Sequence, residues 1–433
     1  MHLIWRVFSL IWGNPPFVGN NNQNDSQRED ILSVIGKSGK VLDYVCGWYF
    51  KAAEYIYGTD IHVAFVSTNS VTQGEQVAGL WRRLFDHFKI HFDFAYRTFR
   101  WDSEANIKAH VHCVIVGFSS GQEEPRKKLF EDNRVKLVSN INPYLMDAPN
   151  VFIDRRKHPL CDVPEIRKGN QPTDGGHLII EADEIETFLK QEPLARPYVK
   201  KLIGAREYIN RKPRYCLWLV GVSPSELRKM PLVMERVKEV REMRLNSPDA
   251  GTRRLADTPT VFRETNNPSS YVVVPSVSSE RRRYVPMGFM TDDTIATNLV
   301  LIIPEGTLYH FGILTSNVHM AWMRAVCGRL KSDYRYSKDI VYNNFPWPSP
   351  TPDQREKIEQ TAEAILDARA LYPDSSLADL YDELTMPPEL RRAHQNNDRA
   401  VMAAYGFPVK GFTEADCVAE LMKLYQEMVN EEK

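Results

Sequence analysis

No apolar run in the 433 residues approaches the ~20 consecutive residues needed to cross a bilayer, so a helical membrane span is excluded. Net charge is nearly missing: 55 Lys and Arg stand against 56 Asp and Glu, a formal −1, and no global attraction to a polyanion follows. Paired cysteines are missing too. Cys46, Cys113, Cys161, Cys216, Cys327 and Cys417 are scattered, with no close pair at metal-ligand or redox spacing, which points to reduced thiols and a cytoplasmic protein. Internal repeats and low-complexity stretches are absent. His110 and His112 lie two apart without carboxylate or cysteine partners at ligand spacing, so no metal is expected there.

What is present is a globular composition, 43% apolar and 26% charged, in a chain long enough for two or three domains. The opening "MHLIWRVFSLIWG" is apolar but short, contains Arg6 and has no small-residue cleavage site; it reads as a strand over Val7–Trp12, not a signal peptide. Val41 to Tyr57 reads as a helix and Ile61 to Ser70 as a buried strand. "GEQVAGLWRRLFDHF" places Val77, Leu80, Trp81, Leu84, Phe85 and Phe88 on one helical side. "HFDFAYRTF" and Ala109 to Phe118 read as two further strands. The succession predicts an α/β domain with a mostly parallel, two-sided sheet closed by a hairpin. "NINPYLMDAPN" marks a boundary near residue 150. Mixed short strands and helices follow, with helices expected over Ser225–Arg244 and Phe311–Arg329. After "NNFPWPSPTP" come helical segments to the end. Cys113, Cys216 and Cys327 lie in apolar runs and read as core residues.

One turn carries chemistry. "IWGNPPFVGN" (Ile11 to Asn20) ends a strand on two prolines, and ligands of such sheets bind outside the carboxyl ends of the strands. A base inside a duplex is modified at its exocyclic amine only after it is flipped out and gripped. Asn14 offers a side-chain carbonyl, the rigid Pro15–Pro16 pair can hold the Pro15 carbonyl out of the ladder, and Phe17 offers a stacking face. Basic groups are local: Arg281, Arg282 and Arg283 after Ser278–Glu280, and Lys331 and Arg335 within the basic and aromatic "KSDYRYS", are candidates for phosphate or base contacts. Asp102 and Glu104 read as structural.

The sequence resembles the amino-group DNA methyltransferases, and most of all their MmeI-like class. The resemblance runs through "NPPFVGN", "FVSTNSVTQGEQVAGLW", "FRWDSEANIKAHVHCVIVGF", "CLWLVGVSPSELRKMP", "VSSERRRYVPMGF", "LYHFGILTSNVHMAWMRAVCGRLKSDYRYSKDIVYNNFPWP" and "LADLYDELTMPPELRRAHQNNDRAV". It implies a partial Rossmann-like methyltransferase sheet over 1–150, a mixed α/β target-recognition domain over 151–345 that reads double-stranded DNA, and a C-terminal helical domain over 346–433. It further implies an adenine-specific activity using S-adenosyl-L-methionine within a restriction–modification system. Asn14, Pro15, Pro16 and Phe17 would be the base-binding motif, with Ser67–Ser70 and Trp101–Ala109 lining the same pocket.

The family binds its cofactor through a glycine-rich turn placed before the Pro-Pro motif, and the thirteen residues before Asn14 hold no such turn. The nearest alternative, "LWLVGVSPSEL" (Leu217 to Leu227), has one glycine after a strand and Pro224 at an ordinary helix start; "GKSG" (Gly36–Gly39) reads as a loop. No restriction-nuclease segment is visible. Two readings follow: an adenine methyltransferase completed by a companion segment in cis or trans, or a non-catalytic DNA-recognition module or inactive remnant. Methylation of RNA or a protein glutamine through the same motif is disfavoured by the large recognition region.

Overall fold

The protein is described by a computed structural model over residues 9–102, 110–132 and 134–432. Two compact units form: the described residues within 1–161, 321–347 and 410–433 make the first, and 162–320 with 348–409 the second.

In the first unit, β1 (Leu10–Gly13), β2 (His62–Thr68), β3 (His91–Asp102), β4 (His110–Ser119), β5 (Lys127–Glu131) and β6 (Arg134–Val138) form one sheet in the order β1-β2-β4-β3-β5-β6. The mostly parallel sheet expected from the sequence is corrected here. Only β1–β2 and β3–β5 pair in parallel, whereas β2–β4, β3–β4 and β5–β6 are antiparallel. The cause is two reversed strands: β4 lies between β2 and β3 and makes both of its interfaces antiparallel, and β6 runs back along β5 at the edge. β1, β2, β3 and β5 still share a direction, so their carboxyl ends lie along one edge.

α1 (Asp25–Ile35), α2 (Val45–Ile56) and α3 (Gly74–Asp86) connect these strands. α3 forms where the apolar spacing requires it, burying Val77, Leu80, Trp81 and Leu84. An aromatic cluster joins helices to sheet. The Tyr49 ring meets Phe65 at 5.3 Å and Trp81 at 5.0 Å, and Trp81 meets Phe92 at 4.7 Å, all edge-on. Both polar handles are satisfied, Tyr49 Oη against Ser67 Oγ at 2.8 Å and Trp81 Nε1 donating to the Val71 carbonyl at 2.7 Å. The second of these fixes the loop that leaves β2.

The second unit holds β7 (Arg167–Lys168), β8 (Ile179–Ile180), β9 (Val199–Ile203), β10 (Arg214–Leu217), β11 (Ser270–Pro275), β12 (Val277–Ser278), β13 (Gly288–Thr291), β14 (Thr294–Ala296) and β15 (Val300–Pro304). Two four-stranded sheets result, β14-β9-β10-β8 and β13-β11-β15-β7. The helix Pro231–Leu245 buries Val233, Val237 and Val240 in a core with Leu178, Phe188, Leu202 and Trp218. The single helix expected over Ser225–Arg244 is two, Pro224–Leu227 and Pro231–Leu245, because Pro231 lacks an N–H and begins a new first turn. The helix expected over Phe311–Arg329 likewise divides into Leu308–Leu314 and Asn317–Val326. Thr315 and Ser316 turn their hydroxyls back onto the Phe311 and Ile313 carbonyls, at 2.7 Å each. Helices Pro352–Ala370 and Pro388–Tyr405 belong to this unit, and Glu414–Glu431 belongs to the first. Cys113, Cys216 and Cys327 are buried, as their apolar surroundings predict. Among the described residues, no helix is long and apolar enough to cross a membrane.

Candidate base-binding site and nucleic-acid contacts

β1 ends at Gly13, level with Phe65 of β2, and β2 runs on to Thr68. The Asn14–Phe17 turn therefore leaves the sheet beside the last residues of β2, at the edge where the carboxyl ends gather. Pro15 is buried and Phe17 half-buried, while Asn14 and Pro16 are exposed. The turn thus presents an amide and an aromatic ring from a seated proline. Of the Trp101–Ala109 segment, Trp101 and Asp102 end β3; residues 103–109 lie outside the described residues, as does the Val7–Phe8 start of the expected first strand.

The segment after Phe17 is held by one carboxylate. Asp43 Oδ1 accepts from the Asn20 backbone N–H at 2.8 Å, and its Oδ2 accepts from the Ser70 hydroxyl at 2.6 Å. Gln76 of α3 donates to Oδ1 at 3.3 Å and accepts the Asp43 N–H at 3.1 Å. The Tyr44 N–H bonds the Val18 carbonyl at 2.9 Å, and Gln23 Nε2 donates to the buried Leu42 carbonyl at 2.8 Å. Asp43 thus ties the segment following the Pro-Pro turn to the loop following β2. Sequence reasoning passed over it: a lone aspartate before a helix reads as an ordinary helix start, and only the tertiary structure brings Asn20, Ser70 and Gln76 around it.

The predicted DNA-contact residues fall into different units. Arg281, Arg282 and Arg283 sit in the second, on a turn closed by the Arg282 N–H to the Ser279 carbonyl at 3.1 Å. Arg281 and Arg283 are exposed, and the Arg283 guanidinium lies 5.6 Å from the Tyr284 ring centroid. Lys331 and Arg335, both exposed, sit in the first unit on a hairpin of β16 (Gly328–Leu330) and β17 (Asp333–Arg335). That hairpin abuts the start of α3. Gly74 adopts φ +55°, and a Cβ there would stand 3.3 Å from the Gly328 backbone, so the approach depends on glycine.

The described residues do not fit an S-adenosyl-L-methionine site. The Leu217–Leu227 candidate has Gly221 at φ +81°, followed by Ser223 capping the Glu226 N–H and a four-residue helix, Pro224–Leu227. One glycine before a single capped turn offers no run of free N–H groups, and β10, which leads into it, stands in an antiparallel pair with β9. Gly36–Gly39 belongs to a 3-10 turn between helices.

Three family descriptions match in succession: the MmeI DNA-methyltransferase domain over residues 7–131, the MmeI target recognition domain over 147–349 and the MmeI C-terminal domain over 350–431. The chain belongs to the MmeI family of DNA methyltransferases. DNA methyltransferase A of Bacillus subtilis (strain 168) is 44% identical over 422 residues, covering 96% of this chain and 48% of that protein. The solved structure of the Type IIL restriction-modification enzyme MmeI in complex with DNA matches with a TM-score of 0.89 at 44% identity, over 97% of this chain and 57% of that one. The chain spans about half the length of these relatives. The β16–β17 hairpin falls inside the 147–349 match yet belongs spatially to the unit that holds the Pro-Pro turn.

Proposed function

We propose that the chain grips the target base for a site-specific DNA adenine methyltransferase of a restriction–modification system. The observation that carries this reading is the Asn14–Phe17 turn, seated by a buried Pro15 at the carboxyl edge of the sheet. The Asn14 side-chain carbonyl and the Pro15 main-chain carbonyl accept from the exocyclic amine of an extruded adenine, and Phe17 stacks on its ring. Fixed acceptors gain strength as that nitrogen becomes more positive, which is how the turn favours the reaction without a general base. Arg281–Arg283, Lys331 and Arg335 contact double-stranded DNA, within a recognition segment running from about residue 151 to 345.

S-adenosyl-L-methionine is the methyl donor in this reading, held by a companion segment in cis or trans. Supporting that, β2 is the sole sheet neighbour of β1 among the described residues, and Leu10 and Trp12 on one face of β1 are 54% and 80% exposed. A parallel strand with its crossover helix would pair with β1 and cover both side chains.

The test does not depend on the cofactor. Duplexes are selected from a random pool by the purified chain, and one adenine of the enriched site is replaced by 2-aminopurine. Fluorescence should rise on binding and fall back in Asn14→Ala and Phe17→Ala, with affinity for the duplex retained. No enriched site, or a signal indifferent to both substitutions, refutes the reading.

A further inference from the structure

A polar cleft opens in the first unit, at the same edge of the sheet as the Asn14–Phe17 turn but farther along it. Its volume is about 370 Å³, and Gln73, Arg97, Thr98, Arg324, Arg329 and Glu414 are among its lining residues. Three features build it. The β3–β4 register shifts between Tyr96 and Phe99, so that Arg97 and Thr98 occupy a bulge, a device that re-aims side chains. Gln73 stands at the position before the first turn of α3, just after the loop that leaves β2. The glycine-dependent approach of Gly328 to Gly74 then delivers Arg329 from β16 to that helix start.

The three guanidinium groups are not equivalent. Arg97 pairs with Glu131 at 2.5 Å, and Arg324 makes a two-pronged pair with Glu414, 2.7 Å for each contact. Arg329 has no carboxylate partner among the described residues. It donates from Nη1 to the Ser332 carbonyl at 3.2 Å, its guanidinium lies 3.9 Å from the Tyr334 ring centroid, and its buried Nε has no hydrogen-bond partner. A guanidinium stacked on an aromatic ring and without a carboxylate partner among the described residues, in a polar cleft lined by two more arginines, is arranged for an oxyanion. The exposed Lys331 and Arg335 on the same hairpin extend the positive surface from the cleft.

We propose that this cleft, centred on Arg329, binds one phosphodiester of the DNA duplex flanking the target base. The inference rests on the DNA reading above and adds a place to it. Thr98 adjoins Phe99, which is level with Cys113 and through it with Thr68. From β1 to β3 is three strand spacings in this sheet, about 14 Å, too far for the phosphate of the nucleotide held by Asn14–Phe17. The phosphate is therefore one in the duplex beside it, and the contact fixes register without reading sequence.

The experiment measures affinity of the purified chain for a mixed-sequence duplex as salt is raised. Each phosphate neutralised contributes about 0.9 to the slope of log K against log salt. Arg329→Gln should make the slope shallower by about that amount, and Arg329→Lys should restore most of it; thermal unfolding of both variants controls for folding. A slope unchanged in Arg329→Gln, with the wild-type chain binding normally, overturns the cleft assignment alone. Loss of inorganic phosphate binding in Arg329→Gln with an unchanged DNA slope also overturns it, since the cleft then serves a free anion. Absence of wild-type binding at low salt overturns the DNA reading and this inference together.

Discussion

Replacing Asp43 by alanine should loosen the segment that follows the Pro-Pro turn while leaving the sheet intact. The side chain receives three donors: the Asn20 N–H at 2.8 Å, the Ser70 hydroxyl at 2.6 Å and the Gln76 amide at 3.3 Å. A hydrogen bond to a charged group contributes about 1.5–3 kcal/mol when fully protected. Asp43 is only half-buried, so water recovers much of this on substitution, and the 3.3 Å contact adds little. A local cost of about 2 kcal/mol results. At 1.4 kcal/mol per factor of ten, the Asn20 amide should exchange with solvent roughly 30-fold faster in Asp43→Ala. Asp43→Asn keeps the shape but turns one acceptor into a donor, and should give an intermediate effect. The assay is amide hydrogen exchange read at Asn20 and its neighbours, with the β2 and β4 amides as internal reference. Exchange at Asn20 that stays within twofold of wild type would show that Asp43 does not hold the turn.

Two further predictions concern the second unit. Arg244 is fully buried and donates to the Pro172, Thr173, Leu255, Thr258 and Val261 carbonyls, between 2.8 and 3.3 Å. Arg244→Met strands these acceptors and should cost about 3 kcal/mol or more, with Arg244→Lys little better because one ammonium cannot span the set; an unshifted urea transition would contradict this. Burial lowers His319 from the usual histidine range to about 3 and His310 to about 4. Their unfolded counterparts take up protons near 6.5, so the unfolded state binds more protons below that pH. Stability should be flat with respect to these groups above pH 6.5 and fall as pH drops toward 4 and then 3. The fall should be clearly shallower in His319→Gln, and equal slopes in the two proteins would refute the assignment.

Much of the first unit was legible because local patterns suffice for it. Pro15 and Pro16 end β1 where they stand, and the Val77–Leu84 spacing gives α3 with its buried face as read. The direction of β4 was not legible, since side chains alternate identically in a parallel and an antiparallel strand. Nor were the breaks at Thr315–Ser316 and Pro231 weighed against an apolar spacing that runs on through both. The basic groups were visible as residues but not as places, and Arg329 was passed over within its own hairpin.

The sequence by itself determined the motif turn, the alternation of strand and helix around it and the C-terminal helices, because each depends on neighbours within a few residues. The tertiary structure alone decided which distant groups meet. It set Asp43 between Asn20 and Ser70, and it brought the β16–β17 hairpin against the start of α3 through the backbones of Gly74 and Gly328. Such contacts join residues separated by tens to hundreds of positions, and they are fixed by strand order and close packing, which no local periodicity encodes.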